Sequence, residues 1–486
     1  MIQSEAVETI GFFLDGAWQT PNSSDLLEVH NPADGSLYAR VAQARAIHAT
    51  QAIDAAEAAA PAWANMLASQ REALLVRSAD VLERRGEELC AVLMNESGSS
   101  LPKAMFEIGY CVDLLRMAAG EVRHVTGETL PQTMPGQFGF TVRRPLGIIA
   151  GISPFNAPLL LAMKKVALAL AAGNCFILKP SEVTPVIGLK IASVFEEAGL
   201  PPGVLNVLPG PAQEIGDVLL TDRRVSMLTF TGSTKVGQML GVKCAQNQKK
   251  VTLELGGKNP LIILKDADID YAVDAACFGI FFHQGQVCMA SSRVIVEAPI
   301  YEQVCDKLAR RAAGYKVGDP REPGVVVGPL IKGEHCDYIA GQVASAAQKG
   351  ARILTGGTHD GRFFQPTVLA DVDARMDIFH EETFGPVVSL IKAADAEDAL
   401  EIANDSHYGL SSAIITNDLQ KAMDLAMRVE AGMVHINSST VSDEPHVPFG
   451  GIKSSGIGRE GGRYSMEEMT ELKWITIQQG KQAFPL

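Results

Sequence analysis

Five short apolar runs follow one another through the middle of the chain: GIIAGI (147–152), CFILK (175–179), VLNVL (204–208), SMLTF (226–230) and KVTLEL (250–255). Between them lie stretches with helical spacing, entered after Pro158, Pro185, Pro211 and Ser233. Runs of this length, bounded by glycine and proline, read as buried strands, and strand–helix alternation predicts βαβ units in a parallel sheet. After Gly256 the rhythm restarts with PLIIL (260–264), a helix over 268–282, SRVIVE (292–297) and a helix to Tyr315. PVVSLI (386–391), SSAIIT (411–416) and GMVHIN (432–437) continue it, again separated by amphipathic segments.

Upstream, roughly the first 120 residues read as helical, and REALLVRSADVLERRGEELCAVLMNESG carries apolar residues at i, i+3, i+4 and i+7 with Ser69 as its N-cap. The segments QTMPGQFGFTVRRP (132–145) and LKWITIQQ (472–479) read as strands that pair with each other, within one chain or across subunits. The expected fold class is therefore α/β: two Rossmann-like parallel-sheet domains, cofactor and catalytic, with a small β oligomerisation extension. The boundaries are 1–122 and 146–255 for the cofactor domain, 256–454 for the catalytic domain, and 123–145 with 469–486 for the oligomerisation strands. Two such blocks imply a cleft between them, where ligands usually sit.

A net charge of −14 argues against sequence-independent binding to nucleic acid or an anionic membrane, which needs clustered cations. The longest apolar stretch, VALALAAGNCFIL, has 13 residues, too few to span a bilayer. The N-terminal MIQSEAVETI carries neither a basic nor an apolar region of a secretory signal. The eight cysteines (90, 111, 175, 244, 277, 288, 305, 336) stand singly, without metal-ligand spacing. Reduced thiols in a cytoplasmic protein, no metal, and no meaning for the sequon Asn22-Ser23-Ser24 are the expectations.

Five junctions could carry chemistry. GSTKVG (232–237) follows a strand and opens a helix, so Gly232 and Ser233 offer a phosphate free amides, unless the turn is a plain cap. ILKPSEVTP places Lys179 and Glu182 at another strand end, where they could hold a ribose or simply pair in solvent. TLELGGKNP puts Glu254 at a strand end, as a general base or a structural pair; PFNAP puts Asn156 at another, as an oxyanion donor or a helix cap. Finally, FFHQGQVCMASSR (281–293) holds Cys288 in a glycine-containing loop before a strand, which favours a presented thiol over a packed one.

Cys288 in GQVC, Glu254 in LELGGKNP, Asn156 in PFNAP, FTGSTKVG, EETFGPV (381–387) and PFGGIKSSGIGRE (448–460) occur in register in one chain. Together they resemble the aldehyde dehydrogenase superfamily over essentially the whole length. The resemblance implies a Cys288 thiolate that attacks an aldehyde, an oxyanion held by Asn156 and the Cys288 N–H, and hydrolysis of a thioester by water that Glu254 activates. Members that pass the acyl group to coenzyme A typically lack this glutamate, so a hydrolytic enzyme is implied. Lys165 would support the cofactor ribose or proton traffic. Lys179 and Glu182 would hold the adenosine ribose, Gly232 and Ser233 the pyrophosphate, and Glu382 with Phe384 the nicotinamide side. Ile152, Ser153, Phe155, Ser181, Gly210, Leu255 and Gly256 complete the implied cofactor contacts. Glu182 would repel a 2′-phosphate, which favours NAD, although related enzymes with this turn also take NADP.

The segment INSSTVSDEPHVPFGG (436–451) looks like the substrate loop of bacterial benzaldehyde, vanillin and salicylaldehyde dehydrogenases. Ala157 and Lys164 stand where aromatics are frequent in aliphatic-aldehyde enzymes, which widens the pocket for a flat ring. Lys164 points either to a substrate carboxylate or to solvent. Phe282, His283, Val287, Asp443 and Phe449 are the pocket candidates, His283 being equally readable as a capping or core histidine. The expected function is oxidation of an aromatic aldehyde by a homodimer or homotetramer. The alternatives are the same chemistry on an aliphatic, hydroxylated or semialdehyde substrate, a cofactor-free thiol hydrolase, and a binding protein that kept the fold.

Overall fold

The computed structural model describes residues 7–20 and 25–485, so residues 1–6 of the N-terminal reading and the sequon at 22–24 lie outside it. Five parallel strands form the centre of an eight-stranded sheet, in the spatial order Leu205–Val207, Cys175–Lys179, Ile148–Ile152, Val225–Thr231, Lys250–Glu254. Numbered along the chain this is the roughly 3-2-1-4-5 order of dinucleotide-binding sheets, whose direction reverses between Ile148–Ile152 and Val225–Thr231. The helix Pro158–Ala171 that covers it is buried at every position, which explains its near-uninterrupted apolar sequence.

Pro158 and Pro185 each open a helix after a strand, where a fixed φ and a missing N–H cost nothing. The next amides are satisfied by carboxylates from two upstream helices. Leu159 and Leu160 donate to Glu107 Oε2 at 3.2 and 3.0 Å, and Val186 and Ile187 donate to Glu96 at 2.6 and 2.9 Å. Both glutamates are buried, and desolvation pushes the Glu96 carboxyl up to about 8. Glu107 is paired with buried Lys103, whose ammonium also donates to the Asn156 carbonyl at 2.7 Å.

A second sheet of seven strands runs Arg352–Thr355, Thr367–Ala370, Val387–Ala393, Arg293–Glu297, Pro260–Ile263, Ser411–Ile415, Met433–Ile436. All pairings are parallel except that of Arg352–Thr355. Only residues 255–259 separate Glu254, which ends a strand of the first sheet, from Pro260, which begins the second. That short crossing sets the carboxyl ends of one sheet against the amino ends of the other. Thr129–Leu130, Gln137–Pro145 and Thr470–Gln478 form a separate antiparallel sheet, with Thr141 opposite Trp474. The two segments expected to pair do so within the chain.

The helical reading of the N-terminal region needs correction. Strands Thr9–Ile10, Phe12–Leu14, Ala17–Gln19, Leu26–His30 and Leu37–Ala42 precede the first helix, and Phe13 pairs with Val207 at the sheet edge. Strands of two to six residues are too brief to show a period of their own. The long helical segment after them is two helices, Ala68–Arg84 and Gly86–Ser97, and the cap of the first is Leu67; Ser69 lies inside its first turn. Asn156 is likewise not a cap, since Ala157 fills that position. Among the described residues no helix is long and apolar enough to cross a membrane.

Glu107→Ala removes the acceptor for two buried amides and strands the Lys103 ammonium. It should destabilise the protein by about 3–5 kcal/mol, read as a lowered guanidinium midpoint, and Glu107→Gln by less.

Candidate active site

A cavity of about 320 Å³ opens where the two sheets meet, and Cys288 and Asn156 line it together with Phe282, Val287, Met289 and Phe449. His283 and Asp443 line it too, so each pocket candidate named from the sequence faces this space. Phe106, Phe278 and Leu161 complete its apolar walls.

The loop that carries Cys288 makes an unusual turn. His283, Gln284 and Gly285 have φ of +49°, +56° and +70°, three successive left-handed residues of which only one is glycine. Such conformations cost roughly 1–3 kcal/mol for a non-glycine residue and persist where the surroundings enforce them. Glycine is required at 285, because a Cβ there would stand 2.1 Å from the Gly385 carbonyl. The flanking glutamines hold the turn: Gln284 Nε2 donates to the Gly98 and Pro329 carbonyls at 3.1 and 3.0 Å, and Gln286 Oε1 accepts from the Ile331 N–H at 3.2 Å. Asn156 Nδ2 donates to the Gln286 carbonyl at 2.9 Å, and Asn259 Nδ2 to the Cys288 carbonyl at 2.8 Å. One Asn156 N–H is thereby fixed, which orients the amide toward the thiol loop.

Glu254 is 2% exposed and neither carboxyl oxygen has a hydrogen-bond partner. A Cβ at Gly450 would lie 2.8 Å from Glu254 Oε1, so glycine at that position makes room for it. Burial, and then the neighbouring Glu460, hold the Glu254 carboxyl well above the ordinary range, opposed by Lys165, Lys164 and Arg459. The Cys288 thiol is pushed up to about 12, first by burial and then by the charges of Glu382, Glu254 and Asp443. Burial thus disfavours the charged form of both groups, and each carboxyl that loses its charge eases ionisation of the sulfur. His283 is buried with both ring nitrogens unpartnered; desolvation and Lys103 hold it neutral.

Lys165 is fully buried and its ammonium pairs with Glu460, which also accepts from Thr229 Oγ1 at 2.9 Å. Its charge is committed there, beside Glu254. Lys164 is buried as well, against both readings made from sequence: it pairs with Asp443 at 2.8 Å.

The cofactor candidates fall along the ends of the first sheet and the facing loops of the second. Ile152, Lys179 and Glu254 end their strands, and Gly210, Gly232 and Ser233 follow theirs. The Ser153 N–H donates to the Lys179 carbonyl at 3.2 Å; Ser181 Oγ accepts from the Val183 N–H; Glu182 Oε1 accepts from the Ala212 N–H at 2.7 Å and from Lys179 at 3.3 Å. Ser233 caps the helix Thr234–Gln246 without a side-chain bond to its amides, and Thr231 and Thr234 carry buried hydroxyls with no partner. Leu255 packs where a Cβ on Gly237 would sit, and Gly256 leaves the space occupied by the Glu382 carboxylate. Glu382 accepts from the Gly257 N–H at 3.1 Å, and burial raises it to about 7. The Phe155 and Phe384 rings meet edge to face at 5.9 Å. Free helix-terminal amides and unpartnered hydroxyls at the reversal point of the sheet, with a lysine–glutamate pair at the end of the next strand along, fit a dinucleotide.

Residues 18–475 match the aldehyde dehydrogenase family. The vanillin dehydrogenase of Pseudomonas fluorescens is 41% identical over 94% of this chain and 96% of its own. The chain belongs to the aldehyde dehydrogenase family. An NAD(+) benzaldehyde dehydrogenase of Pseudomonas putida is also 41% identical, covering 94% of each chain. The crystal structure of a salicylaldehyde dehydrogenase from Pseudomonas putida G7, complexed with salicylaldehyde, superposes with a TM-score of 0.97 at 37% identity, over 99% of this chain and 100% of that one.

The sequence reading missed the cavity-wall residues Phe106, Phe278, Leu161 and Met289, and the buried polar residues Glu460, Lys103, Glu107 and Tyr110. Glu460 closes the segment 448–460 and so had a signal; the i,i+4 spacing of Lys103 and Glu107 gave a weak one.

Because Glu254 is held above the usual carboxylate range, lowering pH should remove its ionised form early, and kcat should rise with pH along a limb displaced upward from about 4.3. Glu460→Gln removes the charge that raises Glu254 and frees the Lys165 charge that lowers it. The limb should then move to lower pH in a kcat–pH profile.

Proposed function

We propose that the chain oxidises aromatic aldehydes to carboxylic acids with NAD, through a thiohemiacetal and then a thioester on Cys288. The observation that carries this is the meeting of Cys288 and Asn156 at a cavity walled by Phe106, Phe278, Phe282 and Phe449, with partnerless Glu254 near enough for its charge to act on the thiol. Aromatic walls favour a flat ring over a short aliphatic chain, and the vanillin and benzaldehyde dehydrogenases named above act on aromatic aldehydes by their names.

The Cys288 sulfur adds to the carbonyl carbon as its proton passes to the ionised Glu254 carboxylate and on to solvent, and the oxygen that becomes anionic is met by the Asn156 amide, already aimed by Gln286. Bound NAD supplies the two-electron acceptor for the hydride. Glu254 then takes a proton from water as that water adds to the thioester, and Cys288 leaves as the thiol. The buried Lys165–Glu460 pair beside Glu254 offers the proton its way onward. Lys179 and Glu182 hold the adenosine ribose, Gly232 and Ser233 the pyrophosphate, and Glu382 and Phe384 the nicotinamide side. Ile152, Ser153, Phe155, Ser181, Gly210, Leu255 and Gly256 shape the groove.

Residues 1–122 and 146–255 act as the cofactor domain, 256–454 as the catalytic domain, and the antiparallel sheet as the oligomerising one. Exposed Phe138, Leu472, Trp474 and Ile477 on that sheet support a homodimer or homotetramer. The eight free thiols support a reducing, cytoplasmic setting.

Cys288→Ala should bind NAD and show no turnover with benzaldehyde. Glu254→Gln should release about one equivalent of NADH and then stall. Steady turnover by either variant would overturn the assignment of that residue.

A further inference from the structure

Among the polar residues that line the cavity, Asp443 carries a buried carboxylate oxygen that the oxidation itself does not use. Its side chain is 8% exposed, and its two oxygens are treated unequally. Oδ2 accepts from Lys164 Nζ at 2.8 Å and from the Tyr110 hydroxyl at 2.9 Å; Oδ1 has no partner. Lys164 is fixed from the other side by the Phe449 ring, whose centroid lies 4.2 Å from Nζ. His435 feels the Asp443 charge yet makes no hydrogen bond to it. Buried carboxylate oxygens are rarely left unpaired, since the unmet acceptor costs free energy.

The geometry points to Asp443 Oδ1 as the acceptor for a hydroxyl on the substrate's ring, so that the preferred substrates are hydroxybenzaldehydes; this rests on the aromatic reading above. Three features support it. Asp443 lines the same cavity as Cys288, close enough for its charge to push the thiol up. Lys103, the lysine that lines the cavity, pairs with Glu107, and Lys164 pairs with Asp443, so a ring carboxylate finds no free counter-ion and meets the Asp443 charge instead. A methoxy group in the same place presents a second acceptor to an acceptor. A site built to pair a hydroxyl discriminates against analogues that lack it far better than an apolar pocket discriminates by size.

The test is a comparison of kcat/KM for benzaldehyde, the three hydroxybenzaldehydes, the three methoxybenzaldehydes, 4-carboxybenzaldehyde and butyraldehyde. In the wild type at least one hydroxy isomer should exceed both benzaldehyde and its methoxy counterpart by about tenfold or more, mainly through KM. In Asp443→Leu combined with Lys164→Met, which leaves no unpaired charge, that ratio should fall to about one. The matching hydroxyacetophenone, which cannot be oxidised, should inhibit the wild type about tenfold more tightly than acetophenone, and this decides the matter if the double variant does not fold. Equal handling of every hydroxy, methoxy and unsubstituted ring overturns the role of Asp443 and leaves the aromatic reading standing. A preference that survives in the double variant also overturns it. Butyraldehyde turned over better than every benzaldehyde would overturn the aromatic reading itself.

Discussion

The Lys103–Glu107 pair holds the helix Pro158–Ala171 at both of the places that matter to the site. Glu107 takes the first free amides of that helix, at Leu159 and Leu160, while Lys103 takes the carbonyl of Asn156 just ahead of it. Asn156, the proposed oxyanion donor, stands at the helix entrance, and Lys164 and Lys165, adjacent in sequence, reach Asp443 and Glu460 from its body. A shift of this helix would move Asn156, the Lys165–Glu460 pair and the Lys164–Asp443 pair together. Fixing it with a buried ion pair is costly unless every hydrogen bond is made, and here the carboxylate and the ammonium are both fully used. The same solution recurs one unit along the sheet, where Glu96 takes the amides of Val186 and Ile187 behind the Lys179–Glu182 turn.

Around that fixed helix the site is an arrangement of charges in a dry space. Lys165 and Glu460 neutralise each other, as do Lys164 and Asp443, which leaves Glu254 as the carboxyl without a partner beside the thiol. Its raised proton affinity makes it a strong base once ionised, and its position at the end of a strand keeps it from collapsing onto a surface cation. The thiol it faces is hard to ionise for the same reason, burial among carboxyls. Reactivity therefore depends on which carboxyls carry charge, and that couples the sulfur to the proton state of Glu254.

Much of this was legible before any coordinates. The alternation of strands and helices fixes the two parallel sheets, and polar residues after buried strands, Asn156 and Glu254 among them, mark a candidate site, although a helix cap and a structural pair remained open until the structure removed both. Cys288 stood out by lying in a glycine loop instead of on an apolar face. What stayed hidden was long-range pairing: Lys165 and Glu460 are 295 residues apart, and Tyr110 and Asp443 are 333 apart. A buried lysine looks like a surface lysine until its partner is known, which is why Lys164 was misread. The N-terminal strands were missed because their lengths fall below one clear period and their pairing partners lie far along the chain.

The central claim is that oxidation passes through an acyl group on Cys288 that only Glu254 removes efficiently. Rapid acid quenching of Glu254→Gln after mixing with benzaldehyde and NAD, followed by peptide mass mapping, tests it most directly. The account predicts a benzoyl adduct on the peptide that contains Cys288, formed in step with the NADH released and absent without NAD. NADH formed without any adduct, or an adduct on another residue, would contradict it.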